Sequence, residues 1–403
     1  MNFESMKKMT LMALLVLGAT SAFAGDSPAL KNILKAKTYV EAESLVNSSL
    51  GELTDNGEKA KAYNKLVELA MEKYLKESTI KTENEVLKQN KEFDEAGMNE
   101  AAYHAVLAAM ECDKYDQLPN EKGKVSPKFA DKNGQRVWPA RLLLVNAGQD
   151  ALTNKDHATA KKYWGAFVDS DSAPLFAKCD RSVQQPFFAQ VARFVGVFHY
   201  QDKELDKALK YSEIAMKDTA EYDNALNLKL TVLSDDLKNR ADSLKFLDSV
   251  KAMYEENPQN SSLLERVYNL NNALGNKDAA IKVLDDALAA NPNNFVALAD
   301  KGIALLNEKP AEAVSMLKRA FELKPDNALI VTYLATGLSI QAQDITDKAK
   351  RNELYGEAVK YFDKAKELDP DKNMSNWGYN RYNAYYNLYG ENDPRTKAAE
   401  AEK

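Results

Sequence analysis

Between residues 261 and 370, apolar side chains recur at steps of three and four, in blocks that a polar turn separates. Steps of three and four place side chains on one face of a helix, so each block predicts an amphipathic helix. The first two blocks carry Leu264, Val267, Tyr268 and Asn271, then Ala280, Leu284 and Ala287. Gly275 stands between them, where glycine can adopt the left-handed conformation that often ends a helix. The pattern predicts a pair of helices joined by a short turn.

The same two-block pattern returns at a nearly constant interval. Pro258, Pro292 and Pro325 follow one another at 34 and 33 residues, and Pro370 closes the last unit. The units span 261–292, 295–325 and 328–370, and small residues occupy the places where paired helices must approach closely. These small residues are Ala280, Gly302, Ala313, Ala335 and Ala358.

A repeat of about 34 residues built from two helices resembles the tetratricopeptide repeat (TPR) family. At the level of motifs the resemblance covers roughly residues 141–390. It implies an all-α fold: a right-handed superhelical solenoid of antiparallel helix pairs, with about six to eight pairs and a C-terminal capping helix. The order of segments is similar to that of exported TPR proteins of the Bacteroidetes.

The rest of the chain divides around these repeats. Residues 25–120 predict an irregular helical region, 121–140 a loop rich in Pro, Gly and Lys, and 141–260 degenerate repeats. Residues 373–390 predict the capping helix and 391–403 a charged tail. Within the last repeat, the extra residues between Gln341 and Tyr355 predict two lengthened helices that form a hairpin.

The first 24 residues have the features of an export signal. Lys7 and Lys8 precede an apolar run, and Ala22-Phe23-Ala24 ends in small residues. The run is too short to span a membrane. We therefore expect export, with the periplasm as the first location and secretion or surface attachment as alternatives. Cys112 and Cys179 could pair there or remain free, since the sequence gives no geometry.

Composition narrows the function further. The formal net charge is −6. This acidic balance argues against nucleic-acid binding, because phosphates bind to a basic stripe. His104, His157 and His199 lie far apart, which does not suit a metal site. No phosphate-binding glycine loop or nucleophile motif is present. The sequence therefore predicts no catalytic residue, metal or cofactor.

The resemblance implies that partners bind along the first helix of each pair. The chain offers there an amide-rich set of polar side chains, and amides both donate and accept hydrogen bonds. The positions are Gln149, Arg193, Tyr200, Asn269, Asn272, Thr332 and Thr336. The family's basic clamp for C-terminal carboxylates is absent, because the corresponding positions hold Glu265, Ala299 and Asp300.

Two functional hypotheses follow. The first is a non-catalytic scaffold of the cell envelope that holds a peptide segment or a protein partner in the groove. The alternative is a glycan-binding protein that uses the aromatic C-terminal helix, where Trp377, Tyr379 and Tyr382 form a possible patch. Core packing of that helix competes with ligand stacking, because Tyr382, Tyr385 and Tyr389 fall at helical steps.

Overall fold

The computed structural model describes residues 26–53, 55–119 and 123–403. Within these ranges it contains 18 α-helices, two short 3-10 helices and no β-strand. The export signal predicted for 1–24 lies outside the described residues. The all-α class is confirmed.

The chain forms two compact units, 1–232 and 233–403, and the boundary falls within a helix. The helices that begin in the first unit are α1 Pro28–Lys35, α2 Tyr39–Ser49, α3 Asn56–Leu87, α4 Glu95–Asp116, α5 Ala130–Thr153, α6 His157–Asp169, α7 Gln185–Gln201, α8 Leu205–Ala215 and α9 Tyr222–Asp235. From α2 to α8, each helix packs on the next, and α3 also contacts α5.

The second unit contains α10 Arg240–Glu256, α11 Ser261–Ala273, α12 Lys277–Ala290, α13 Phe295–Ala304, α14 Pro310–Leu323, α15 Ala328–Gln343, α16 Lys348–Leu368, α17 Gly378–Tyr389 and α18 Pro394–Glu400. Consecutive helices pack on one another throughout, and α11 also contacts α13. Contact between the first helices of neighbouring pairs is what stacked helix pairs require.

A recurring asparagine starts the first helix of each regular repeat. The side-chain oxygens of Asn260, Asn294 and Asn327 accept from the backbone N–H three residues on, at 3.0, 3.0 and 3.1 Å. Each bond satisfies a donor that the first helical turn leaves unpaired. These caps are 34 and 33 residues apart, so the period seen in the prolines is also a period of helix starts.

Small residues set the distance between paired helices, as the sequence predicts. Ala280, Ala313, Ala335 and Ala358 are fully buried. A Cβ atom added to Gly302 would lie 2.8 Å from Leu317 Cγ, closer than an unshifted neighbour allows. The core of the repeats therefore depends on short side chains at these positions.

The lengthened unit forms the predicted helical hairpin. Helix α15 continues to Gln343 and α16 begins at Lys348, so only four residues separate the two. Ala342 and Tyr355 are buried near this turn, and most of the polar residues between them are exposed.

The predicted 121–140 linker is too long, because α5 begins at Ala130. The Asp116 carboxylate accepts from the backbone N–H groups of Lys128, Phe129 and Ala130 at 2.7–3.2 Å. It thereby caps the start of α5 from the end of α4. Gly134, which falls within the predicted linker, is buried in α5, and a Cβ atom there would lie 2.1 Å from the Leu175 carbonyl oxygen.

The predicted charged tail at 391–403 is also corrected. Residues 394–400 form α18, and Thr396 and Ala399 are buried. The Glu402 carboxylate lies 2.5 Å from Lys366 Nζ and 2.8 Å from an Arg381 guanidinium nitrogen. The capping helix α17 therefore has a short partner helix packed on it.

Candidate partner-binding surface

The second unit presents polar residues on the first helix of its first repeat, α11. Leu263, Leu264 and Val267 are buried against the neighbouring helices, which leaves Asn269 and Asn272 exposed. They lie almost one turn apart on the same helix, so their amides can reach the same extended backbone. These two side chains are accessible, as the sequence predicts.

Thr332, expected on the same surface, is buried and 6 % exposed. Its hydroxyl donates to the Ala328 carbonyl at 2.8 Å, and Ser375 Oγ lies 3.0 Å away. Ser375 belongs to the segment between α16 and α17. The spacing of residues along α15 cannot show that this distant segment covers Thr332. Thr336 remains half-buried, with its hydroxyl bonded to the Thr332 carbonyl and 3.4 Å from Asn380 Nδ2.

The other predicted surface residues lie in the first unit. Gln149 is exposed on α5. Arg193 is half-buried on α7 and donates to Glu221 Oε2 at 2.8 Å. Tyr200 is half-buried, with Lys203 Nζ 5.3 Å from the ring centre. Of these three, Gln149 is the most accessible to a partner.

Asp300 lies on α13, at one of the positions where the family's basic clamp is absent. The side chain is half-buried, and no donor within the described residues bonds to its buried Oδ2. Burial raises the pKa of Asp300 to about 6, and the negative charge of Glu265 on α11 adds to the rise. Burial also raises the pKa of Tyr268, with a further contribution from Asp300. Because α11 and α13 contact each other, Glu265, Tyr268 and Asp300 form one acidic patch across the two helices.

The acidic patch adjoins the exposed amides. Asn272 shares α11 with Glu265 and Tyr268. A hydrogen bond between the side chains of Asn272 and Tyr268 lowers the pKa of Tyr268 and so opposes part of the rise. Glu265 is exposed and takes part in no ion pair within the part of the chain that the structure describes. A surface with two amides and two unpaired carboxylates can accept hydrogen bonds from a cation.

The C-terminal aromatic patch is divided between core and surface. Trp377 is 2 % exposed, and its Nε1 donates to the Asp369 carbonyl at 2.8 Å. The prediction that Trp377 belongs to a surface patch is therefore wrong, because its ring is buried in the same core cluster as Ala384 and Tyr385 of α17. Tyr379 is 58 % exposed, whereas Tyr382 is half-buried, with Lys403 Nζ 3.7 Å from its ring centre.

Cysteine chemistry does not add a site. Cys112 and Cys179 are both free. Cys112 Sγ is buried and donates to the Ala60 carbonyl at 3.3 Å, and burial raises the pKa of its thiol. A thiol held in its neutral form is a poor nucleophile.

The described residues contain no group of three or more His, Cys, Asp or Glu side chains placed to hold a metal ion. None of the helices in the described ranges is long and apolar enough to cross a membrane.

Comparisons with known proteins find solved structures that are similar to this chain, two of which are TPR proteins. No protein-family model and no curated protein matches the chain. A tetratricopeptide repeat protein from Parabacteroides merdae ATCC 43184 is 14 % identical, with a TM-score of 0.34, over 64 % of this chain and 96 % of that one. The TPR domain of P58(IPK) is 13 % identical, with a TM-score of 0.30, over 95 % of this chain and 98 % of that one.

The class follows from the chain's own repeat. Three successive helix pairs begin at equally spaced asparagine caps and close on small residues at matching positions. The chain is an all-helical repeat protein that resembles the TPR family.

Proposed function

We propose that the chain is a non-catalytic binding scaffold of the cell envelope, which holds a peptide segment or a protein partner. The main support is the pair of exposed amides, Asn269 and Asn272, on a helix whose opposite side is fixed in the core. Because the packed helix fixes the backbone of both residues, binding a partner requires the ordering of only two short side chains in the protein.

A pull-down from an envelope extract tests this surface. The intact protein should recover a partner that Asn269→Ala plus Asn272→Ala loses. The matched control is Gln259→Ala plus Asn307→Ala, which removes two exposed amides from the turns before α11 and after α13. Equal recovery by both folded double variants would exclude this surface.

Envelope location is part of the proposal and has a separate test. It is supported by the basic and apolar residues of 1–24 and by the small residues before Gly25. Mass spectrometry of the native protein should find a mature N-terminus at Gly25 in the envelope fraction. A cytosolic protein that keeps residues 1–24 would contradict the location and leave the binding surface to be tested on its own.

Because Trp377 is buried, the glycan-binding alternative depends on the exposed tyrosines of α17. Tyr379 and Tyr386 are exposed on α17, and the ring centres of Tyr382 and Tyr386 lie 6.1 Å apart. Tyrosine rings of this kind can stack on sugars. A glycan array with the protein and with Tyr379→Ala plus Tyr386→Ala separates the two candidates. Binding that the double variant loses would favour the alternative.

A further inference from the structure

The acidic patch of the second unit suggests which partner chemistry the proposed surface prefers. Asp300 Oδ2 is buried without a donor within the described residues, and Glu265 is exposed without a cation. The cation that follows Asp300 in the chain, Lys301, is 2.5 Å from Asp285 and 3.9 Å from Glu312. The nearest lysine in sequence is therefore already paired with other carboxylates.

An unpaired carboxylate in a half-buried position is energetically costly. A buried acceptor without a donor loses its hydration and gains no bond in exchange. The raised pKa of Asp300 reflects this cost, and the negative charge of Glu265 increases it. A cationic side chain placed between the two carboxylates would reduce both effects, because charge-assisted hydrogen bonds are among the strongest in proteins.

We propose that the face formed by α11 and α13 binds an extended segment that carries an arginine or lysine. The cation lies between Glu265 and Asp300, while Asn269 and Asn272 hold the backbone of the same segment. This inference rests on the proposed function and specifies the charge of its partner. A planar guanidinium suits two carboxylates better than an ammonium group does, because its N–H donors point in fixed directions.

Access to Asp300 does not require the helices to separate. The side chain is half-buried rather than enclosed, and only its Oδ2 is among the buried unpaired atoms, so Oδ1 is the oxygen that a cation reaches. Glu265 is exposed on the neighbouring helix. An arginine can therefore reach both carboxylates from the solvent side.

Peptide display on the full-length protein tests the charge preference. A library of random linear peptides should yield binders enriched in arginine or lysine at one position. Glu265→Gln plus Asp300→Asn should lose that enrichment, because both substitutions keep the shape and remove the charge. Glu322→Gln plus Asp326→Asn is the matched control, since both residues are exposed at the end of α14 and in the turn after it.

A synthetic version of a selected peptide then measures the effect. Replacing its arginine by citrulline keeps the size and removes the charge, and we expect at least tenfold weaker binding by fluorescence anisotropy. The loss should shrink in high salt, because part of each charge is solvent-exposed. The Gln/Asn double variant should bind the two peptides equally.

The outcomes separate this inference from the function it rests on. Selected peptides without a basic preference, which still require Asn269 and Asn272, would overturn the inference and keep the surface. Selection of no peptide at all would overturn the inference too, and the envelope pull-down would then decide the proposed function. Basic peptides that bind the Gln/Asn variant unchanged would place the charge contact elsewhere and also overturn it.

Discussion

Helix α5 of the first unit has 24 residues and buries Trp138 and Arg141, whereas α13 of the second has 10 and buries Leu298, two alanines and Gly302. In the regular repeats of the second unit, the same kinds of small buried residues recur from one helix pair to the next. In the first unit, large buried side chains such as Trp138 and Arg141 have no equivalent in the neighbouring pairs. Residues that recur give the sequence a period, whereas residues without an equivalent do not.

The clearest example in the first unit is Arg141, which has no exposed surface. Its guanidinium donates to Ser170 Oγ at 2.8 Å, Gln184 Oε1 at 2.5 Å and the Phe167 carbonyl at 2.8 Å. Its central carbon lies 4.7 Å from the ring centre of Trp138. Burial lowers the pKa of Arg141 to about 10, so the side chain remains charged at neutral pH. One cation therefore fixes the segment between α6 and α7 onto α5.

The largest expected effect is the loss of this cation. Arg141→Ala should reduce the free energy of unfolding by about 4 kcal/mol, because it leaves buried acceptors unpaired and opens a cavity. Urea unfolding followed by far-UV circular dichroism measures the loss. Lys178→Ala, which removes a cation from an exposed ion pair with Asp131, should change it by less than about 0.5 kcal/mol. Equal effects of the two substitutions would show that Arg141 does not hold the first unit together.

The largest fully buried side chain of the second unit is Trp377, just before α17. Trp377→Ala should cost about 3 kcal/mol, because it removes a fully buried ring and its hydrogen bond to Asp369. The control is Tyr379→Ala, two residues on, which should cost less than about 0.5 kcal/mol because that ring is mostly exposed. The same urea titration compares them. A small effect at Trp377 would mean that the repeats close without this ring.

The regular helices α11–α16 could be predicted from the sequence because each depends on contacts that recur. An asparagine cap, a stripe at steps of three and four and a small residue at the crossing are all local or periodic features. The exposed Asn269 and Asn272 follow from that stripe, since they lie off its apolar side. Periodicity therefore predicts both the fold of the repeats and part of the surface.

The errors occur where a single distant contact decides the structure. The start of α5 depends on the Asp116 carboxylate, which lies across a loop at the end of α4. Thr332 is covered by Ser375, and Asp300 is recognised as unpaired only when α11 and α13 are placed side by side. Spacing along one helix cannot show which side chain lies opposite.

Two buried glycines differ in what an added Cβ atom would meet: a backbone atom at Gly134 and a side chain at Gly302. A Cβ atom at Gly134 would meet the Leu175 carbonyl oxygen at 2.1 Å, and one at Gly302 would meet the Leu317 side chain at 2.8 Å. Gly134→Ala should cost about 2 kcal/mol, because a backbone oxygen cannot move aside without shifting its segment. Gly302→Ala should cost less, about 1 kcal/mol, because the buried Leu317 side chain can shift more readily than backbone and alanine favours the helix. Thermal unfolding of both variants tests the order, and a larger loss at Gly302 would reverse it.

The smallest effect concerns Asp300, whose charge is unpaired in the second unit, in contrast to the paired charge of Arg141. Its pKa is about 6 in the folded protein, above the ordinary value of 3.8. Below about pH 3 both the folded and the unfolded chain hold the proton, so the residue costs almost nothing. As the pH rises towards 6 and above, the unfolded chain releases the proton first, and the folded state loses stability. The loss is complete above about pH 7.

Asp300→Asn should therefore stabilise the protein by about 1 to 2 kcal/mol at pH 7, a value reduced from the full pKa difference because the carboxylate is partly solvated. The gain should fall to near zero at about pH 3. Urea unfolding of the protein and the variant at both pH values gives the difference directly, with Asp326→Asn as the exposed control. A gain that is the same at both pH values would show that it arises from packing, and a loss at pH 7 would show that Asp300 has a stabilising partner. Either result would remove the electrostatic reason for expecting a cation at this patch.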